Sequence, residues 1–112
     1  MPNEVIGTTI ITIEEQMRGW LAVLAKERLV KRQVSAYRDL QGLFDFFATF
    51  TIVPFDDNSA LEFEILSGKK LRISTMDLKI ASIALATDSL LLTANRRDFE
   101  RVPGLKIVNW MD

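Results

Sequence analysis

The chain has 112 residues, of which 48% are hydrophobic and 26% charged, a composition typical of globular proteins and not of disordered or collagen-like chains. It contains no cysteine and no histidine, which excludes disulfides, thiolate or imidazole metal sites and histidine-based catalytic triads. Fourteen basic and fifteen acidic residues give a net charge of −1, so no overall positive field indicates a nucleic-acid-binding protein.

Length and sequence pattern also restrict domain count and location. The size fits one domain, and no linker or repeat divides the chain, so we predict a single domain over residues 1–112. No apolar run approaches the roughly 18–20 residues that a membrane span needs. Residues 1–4 contain an acid and not the basic start of a signal peptide. We therefore expect a cytoplasmic protein without a membrane partner.

The first third of the chain predicts a strand followed by a helix. Residues 5–11 are largely β-branched, which is typical of a strand buried on both faces. Thr12 and Glu15 have the spacing of a capping box, which predicts that a helix begins there. This helix is expected to run to about Leu29, with four side chains facing inward: Met17, Trp20, Leu21 and Leu24.

A second long helix is predicted from apolar residues at three- and four-residue spacing: Val34, Tyr37, Leu40, Phe44, Phe47 and Phe50. Its aromatic side chains could stack on a ligand, but we expect core packing, because helical spacing is what core burial produces. Residues 51–55 then predict a short strand. Residues 56–58 are expected to start a turn and cap a helix over residues 60–66 that ends at Gly68.

The second half of the chain continues the alternation of helices and strands. Ser74 or Thr75 can cap a fourth helix, whose surface is strongly apolar. Residues 90–93 predict another buried strand, residues 95–98 a polar loop, and residues 106–108 a closing strand. Strands that alternate with helices and are apolar on both faces predict an α/β fold, with a mostly parallel sheet covered by helices.

Three acidic residues are expected beyond the carboxyl ends of strands, where α/β sheets bind ligands. Glu15 is placed in the first turn of the first helix and Asp77 in the first turn of the fourth, while Asp98 follows the 90–93 strand. Converging carboxylates would suit Mg²⁺ or Mn²⁺. Alternatively, an acid in the first turn stabilises any helix through the helix dipole, so spacing alone does not establish a metal site.

Three stretches of the chain have recognisable motif spacings. In residues 11–20 a predicted strand leads into a helix bearing Glu-x-x-x-Gly, at Glu15 and Gly19. In residues 75–84 an Asp opens a helix rich in Ile and Ala, and residues 91–105 contain Thr-x-Asn-x-x-Asp-Phe before a further strand. In this order the stretches resemble the second motif, the third motif and the Thr-x-Asn-x-x-Asp-Phe signature of PIN-domain ribonucleases of the VapC toxin type.

The resemblance implies a three-layer PIN-like fold and a ribonuclease that uses Mg²⁺ or Mn²⁺. The family's catalytic, metal-binding carboxylates map onto Glu15, Asp77 and Asp98, with Asn95 as an auxiliary ligand. Thr93 maps onto a hydroxyl at the strand end that orients a metal-bound water or an acid. The implied partners are an RNA substrate and a cognate antitoxin, which usually neutralises members of this family.

The chain departs from the family pattern at its start. The family begins with a strand that ends in Asp-Thr-Asn or Asp-Thr-Asp and supplies the first metal ligand, followed by a helix. Nothing before Val5 matches, so we expect an N-terminally truncated domain, with a gap between the 5–11 and 90–93 strands. Unpaired strand edges invite pairing with another chain, which predicts a homodimer or a higher oligomer.

Other acids are poor replacements for the missing ligand, which leaves more than one function open. Asp56 and Asp57 follow a strand, but helix capping is their expected role. Glu14 and Glu15 point about 100° apart on a helix, so only one can face the site. The chain is then either a metal-dependent endoribonuclease, impaired by truncation, or a degraded module that binds an antitoxin or itself. A third possibility is an unrelated α/β domain whose acids only cap helices.

Basic residues flank the expected site on two segments. One group precedes the Asp77 helix and the other surrounds Asp98. Each contact with an RNA phosphate would add salt-dependent affinity, although such residues can also be solvated surface. The predicted phosphate contacts are Lys69, Lys70, Arg72, Arg96, Arg97 and Arg101.

Overall fold

The computed structural model describes residues 7–93 and 95–109. By their internal contacts the residues divide into two compact units, Met1–Val53 and Pro54–Asp112. Each unit contains helices and two short parallel strands, which confirms the α/β class. The single-domain prediction for residues 1–112 stays a prediction. None of the described helices has both the length and the apolar character needed to cross a bilayer.

The first unit consists of two strands and two long helices. They are β1 (Gly7–Thr9), α1 (Ile10–Lys26), α2 (Val30–Phe47) and β2 (Thr51–Val53). The strands pair in parallel, from Gly7 opposite Thr51 to Thr9 opposite Val53. The helices connect the carboxyl end of β1 to the start of β2, as a parallel pair requires.

A side chain of α2 satisfies the end of α1. Gln33 Nε2 donates hydrogen bonds to the carbonyl oxygens of Glu27 at 2.8 Å and Leu24 at 3.4 Å. The last carbonyl groups of a helix have no partner within the helix, so this amide contact stabilises the turn between α1 and α2. Ala36 and Phe47 are buried on α2.

The predicted strand over residues 5–11 ends earlier than its composition indicated. Its first two residues lie outside the described part of the chain, and Ile10 already begins α1. The N-cap is Thr9, whose side-chain oxygen accepts the backbone N–H of Thr12 at 3.0 Å. The predicted capping box of Thr12 and Glu15 is therefore wrong, because Thr12 lies inside the helix.

The predicted core stripe of α2 is also wrong in part. Val34, Tyr37 and Phe44 are 54%, 56% and 60% exposed, whereas Phe47 is only 8% exposed. The helix carries two apolar faces, and the buried one contains Ala36 and Phe47. Helical spacing alone does not distinguish a buried face from an exposed apolar face.

The helix ends and one α1 side chain differ from the prediction as well. α1 ends at Lys26 and not near Leu29, and Leu21 is 49% exposed. Phe50 lies beyond the end of α2, yet its ring centroid is 5.1 Å from that of Phe46. The aromatic contact therefore continues past the helix into the segment that leads to β2.

The second unit contains three helices and two strands. They are α3 (Asp57–Ser67), α4 (Thr75–Ala86), β3 (Leu90–Thr93), α5 (Arg96–Phe99) and β4 (Lys106–Asn109). β3 and β4 pair in parallel, from Leu90 opposite Lys106 to Thr93 opposite Asn109. Gly104 has a φ of +79°, a backbone conformation that favours glycine, which explains the predicted turn before β4.

Side-chain caps begin α3 and α4 as predicted. Asp56 Oδ1 accepts the backbone N–H and the hydroxyl of Ser59, both at 3.0 Å. These hydrogen bonds, the one from the backbone foremost, lower the pKa of Asp56 below its ordinary value. Ser74, and not Thr75, caps α4, because its Oγ accepts the backbone N–H of Asp77 at 3.1 Å.

Helix α4 carries most of the buried residues that the structure describes in the second unit. Its buried residues are Leu78, Ile80, Ala81, Ser82, Ile83 and Ala84. Ser82 is fully buried, and its hydroxyl donates to the carbonyl oxygen of Leu78 at 2.7 Å, so its burial leaves no polar group unsatisfied. α4 packs against α3, whose Leu66 is 2% exposed.

Two predictions for the end of the chain need correction. Leu90 and Leu92 are 54% and 53% exposed, so the 90–93 strand is not buried on both faces. Among the described strands, β3 pairs with β4 alone. The polar segment over residues 95–98 is not a plain loop, because α5 forms a helical turn with Asn95 at its N-cap position.

Candidate functional site

A polar network lies at the carboxyl end of β3. Asn95 Nδ2 donates to Asp98 Oδ2 at 2.8 Å, and Arg101 Nη1 donates to Asp98 Oδ1 at 3.1 Å. Thr93 Oγ1 accepts the backbone N–H of Asn95 at 2.9 Å. The residues of the Thr-x-Asn-x-x-Asp signature are thus joined by hydrogen bonds, and both carboxylate oxygens of Asp98 are held in place.

Arg101 also connects α5 to the segment that precedes α4. Its Nη1 donates to the carbonyl oxygen of Arg72, two residues before the cap residue Ser74. Arg101 was predicted only as a phosphate contact, so its hold on Asp98 was missed. The spacing from Asp98 to Arg101 is three residues, the distance at which helical side chains pair, and this is the signal that could have revealed it.

Asp77 lies in the first turn of α4, as predicted. Its side chain is half-buried, and its backbone N–H is bound by Ser74. Within the described residues, the Asp77 carboxylate has no hydrogen bond or ion pair. It is therefore available to a ligand, and it also has the sign of charge that the N-terminus of a helix favours.

Glu15 lies in the second turn of α1 and is exposed. Its predicted position in the first turn is wrong, because the helix begins three residues earlier than the capping-box pattern indicated. The helix-dipole explanation therefore applies to Asp77 but not to Glu15, since the dipole effect falls off within the first turn.

A shallow groove of about 310 Å³ lies beside Glu15 on the surface of α1. Its lining consists of Glu15, Gln16, Gly19, Trp20 and Val23. Glu14 points elsewhere, because its Oε2 pairs with Arg18 Nη2 at 2.5 Å. Of the two adjacent acids, Glu15 is therefore the one that borders the groove.

The described carboxylates are not gathered into a metal-binding cluster. Among residues 7–93 and 95–109, no group of three or more acidic side chains is placed to hold one metal ion. Oxygen donors such as Asp77 and Asp98 match the chemistry of Mg²⁺ and Mn²⁺. The donor type therefore fits these cations, and the prediction that Glu15, Asp77 and Asp98 share one stays a prediction.

The two basic groups meet in the second unit through the hydrogen bond from Arg101 to Arg72. Arg101 and Arg96 are already engaged with acids, Arg96 Nε lying 2.6 Å from Glu100 Oε1. The remaining cations are exposed and form no ion pair within the described part of the chain: Lys69, Lys70, Arg72 and Arg97. Fewer basic side chains are therefore available to bind phosphates than the sequence indicated.

Comparisons with known proteins identify the type of fold. No family model and no curated protein matches the chain. Among solved structures, VapBC2 from Rickettsia felis bound to a DNA fragment from its promoter is 27% identical, covering 97% of this chain and 77% of that chain, with a TM-score of 0.70. VapBC-1 from nontypeable Haemophilus influenzae is 21% identical over 100% of this chain and 79% of that chain, with a TM-score of 0.71. DNA-bound VapBC from Salmonella typhimurium is 24% identical, covering 91% of this chain and 73% of that chain, with a TM-score of 0.71.

These similarities and the alternation of helices with parallel strands define a PIN-type α/β fold. The PIN fold is of the VapC type, as the three motifs of the sequence predicted.

Proposed function

We propose that the chain is the toxin of a toxin–antitoxin pair and an endoribonuclease that depends on Mg²⁺ or Mn²⁺. The observation that carries the proposal is the hydrogen-bonded segment of Thr93, Asn95 and Asp98, in a chain 27% identical to the VapBC2 structure over 97% of its length. RNA is then the substrate, and a cognate antitoxin is the protein partner.

Three carboxylates carry the proposed reaction. Glu15, Asp77 and Asp98 hold the cation, with Asn95 as an auxiliary ligand and Thr93 as the hydroxyl at the end of β3. When bound, the cation supplies a nucleophilic water at neutral pH and neutralises charge on the phosphate. Asn95 and Arg101 orient the Asp98 carboxylate through the hydrogen bonds described above.

The exposed cations of the second unit position the RNA. Lys69, Lys70, Arg72 and Arg97 have no acidic partner among the described residues, so they can contact phosphates without breaking an ion pair. Arg96 and Arg101 form ion pairs with Glu100 and Asp98, which must break before either arginine can bind a phosphate. Their contribution to RNA affinity is therefore smaller.

A binding module without catalysis is the second candidate function. It is favoured by the hydrogen bonds that occupy both carboxylate oxygens of Asp98. Such a module would bind an antitoxin or a second copy of itself and leave RNA intact.

Cleavage of RNA distinguishes the two functions. A labelled, mixed-sequence single-stranded RNA is incubated with Mg²⁺ and the wild type or one of three variants, Glu15→Gln, Asp77→Asn and Asp98→Asn. We expect wild-type cleavage that EDTA abolishes and that each variant lowers by about 100-fold or more, as losses of catalytic groups do.

The matched control is Asp39→Asn, an exposed acid on α2 that should leave cleavage unchanged. Cleavage that survives all three substitutions or persists in EDTA would contradict the proposal. A folded wild type that leaves the RNA intact would favour the binding module.

A further inference from the structure

Two neighbouring rows of residues on α1 line the groove beside Glu15. Glu15, Gly19 and Val23 follow one another at four-residue spacing, and Gln16 and Trp20 form the second row. Residues four apart lie one above the other on a helix, so Gly19 leaves an opening between the side chains of Glu15 and Val23. The groove therefore exists because the middle residue of one row has no side chain.

Gly19 has no packing role in the described structure. A Cβ added there would meet no heavy atom within 4 Å. Glycine is unfavourable in the interior of a helix, and it is commonly found where a ligand approaches the backbone closely. The open space at Gly19 is therefore a place where a ligand can contact the helix.

Trp20 provides an aromatic wall of the groove with a free hydrogen-bond donor. Helical spacing predicted that Trp20 faces inward, and its side chain is half-buried and lines the groove. The indole N–H makes no hydrogen bond within the described residues, where no side-chain polar atom is both buried and unpaired, so this N–H reaches solvent. An indole in this position can stack on a planar ligand.

Gln16 and Glu15 form the polar edge of the groove. Gln16 is exposed, and its amide makes no hydrogen bond within the described part of the chain, so it offers both a donor and an acceptor. Glu15 is acidic, and none of the described lining residues is basic. The groove therefore repels a phosphate and suits a neutral planar group with hydrogen-bonding edges.

We propose that this groove binds one base of the RNA, which stacks on Trp20 and is hydrogen-bonded at its edge by Gln16. Unpaired RNA bases are recognised through aromatic stacking combined with hydrogen bonds of this kind. The inference rests on the proposed function, because Glu15 is a proposed cation ligand and also lines the groove. A base in the groove places its nucleotide beside that carboxylate, so the base contributes to the choice of the cleavage position.

A protein segment fits the groove less well than a base. The described lining has two large apolar side chains, Trp20 and Val23, whereas an amphipathic helix needs apolar anchors over several turns. The groove volume of about 310 Å³ is also at the small end of the roughly 300–1,000 Å³ found for ligand pockets. A single planar group is therefore the occupant that the groove favours.

The test measures RNA binding in EDTA, where the proposed cleavage does not occur. Dissociation constants are obtained by fluorescence anisotropy for dye-labelled hexanucleotides of A, C or U and for a ribose-phosphate backbone of the same length without bases. Trp20→Leu should weaken binding of the three hexanucleotides about tenfold through loss of stacking, whereas Trp20→Phe should stay within about threefold of the wild type. Gln16→Ala should weaken binding of the tightest hexanucleotide about fivefold. Every variant should bind the base-free backbone as the wild type does.

The matched control is Gln41→Ala, an exposed glutamine on α2 that should leave all four dissociation constants unchanged. Unchanged binding of the base-free backbone also shows that a variant is folded, because unfolding would remove the phosphate contacts. If Trp20→Leu fails this check, Gln16→Ala decides, since Gln16 is exposed.

Two results would overturn the base site in distinguishable ways. Equal hexanucleotide binding by the wild type and the folded groove variants excludes the base site, and the ribonuclease proposal stands if the wild type still cleaves RNA with Mg²⁺. A wild type that neither binds nor cleaves RNA contradicts both proposals.

Discussion

Gly19 and Gly42 occupy interior positions of α1 and α2, where glycine is among the least favourable residues. An added Cβ would meet no heavy atom within 4 Å at either position in the described structure. The packing seen here therefore explains neither glycine. Of these two glycines, only Gly19 lines the groove beside Glu15. Comparing substitutions at the two positions therefore distinguishes an effect on folding from an effect at the groove.

Replacing Gly19 by alanine should stabilise the fold and impair the proposed cleavage. Helix propensity predicts a gain of about 1 kcal/mol in the free energy of unfolding, measured by urea denaturation. The added methyl narrows the groove next to Glu15, so the cleavage rate should fall. Gly42→Ala is the matched control, with a similar gain in stability and unchanged cleavage. Equal cleavage rates for Gly19→Ala and Gly42→Ala would show that the groove is not part of the catalytic site.

Asp56 should make stability depend on pH in a defined direction. Its hydrogen bonds with Ser59 lower the folded pKa below the ordinary value of 3.8, so the stabilisation is present above that value. It is lost as the pH falls through the lower, folded pKa. Asn also caps helices but does not titrate. The melting temperature of the wild type should therefore fall relative to that of Asp56→Asn below pH 3.8. A difference that is constant with pH would contradict this.

At the level of helices and strands, the predictions succeeded where a local cap or strong composition decided the structure. Caps were correctly expected within residues 56–58 and at Ser74 or Thr75, because a cap acts through hydrogen bonds within three residues. The start of α3 was nevertheless predicted too late, at residue 60 and not at Asp57. The prediction failed at Ile10, where β-branched composition favoured a strand but Thr9 caps a helix. For α2, Val34 and Phe47 have equally good spacing, and only tertiary contacts determine which face is buried.

The contact between α1 and α2 can be tested through Gln33. Gln33→Ala removes the amide that binds the carbonyl oxygens of Glu27 and Leu24, and we expect a loss of about 1 kcal/mol in the free energy of unfolding. Gln16→Ala is the control, because Gln16 is an exposed glutamine on α1 with no hydrogen bond from its side chain within the described residues. Equal stability of the two variants would show that water replaces the amide at no cost.

At the scale of the whole molecule, the order of three motifs along the chain predicted the PIN-type fold. The same motifs predicted the local contacts of Thr93, Asn95 and Asp98, because these residues are neighbours in sequence. The sequence could not show in the same way whether Glu15 lies close to Asp77 and Asp98, because that depends on the packing of elements that are distant in sequence. For the same reason, residue spacing did not indicate which face of α2 is exposed.

Whether Glu15, Asp77 and Asp98 hold one cation is tested most directly by thermal unfolding of the protein in a titration with Mn²⁺. When the free cation concentration is ten times the dissociation constant, a cation that binds only the folded state adds about 1.4 kcal/mol to the free energy of unfolding. This corresponds to a rise of about 5 °C in melting temperature. We predict this rise in the wild type and in the Asp39→Asn control, and its absence in Glu15→Gln, Asp77→Asn and Asp98→Asn. A wild-type melting curve that millimolar Mn²⁺ leaves unchanged, or a rise that persists in all three variants, would contradict the shared site.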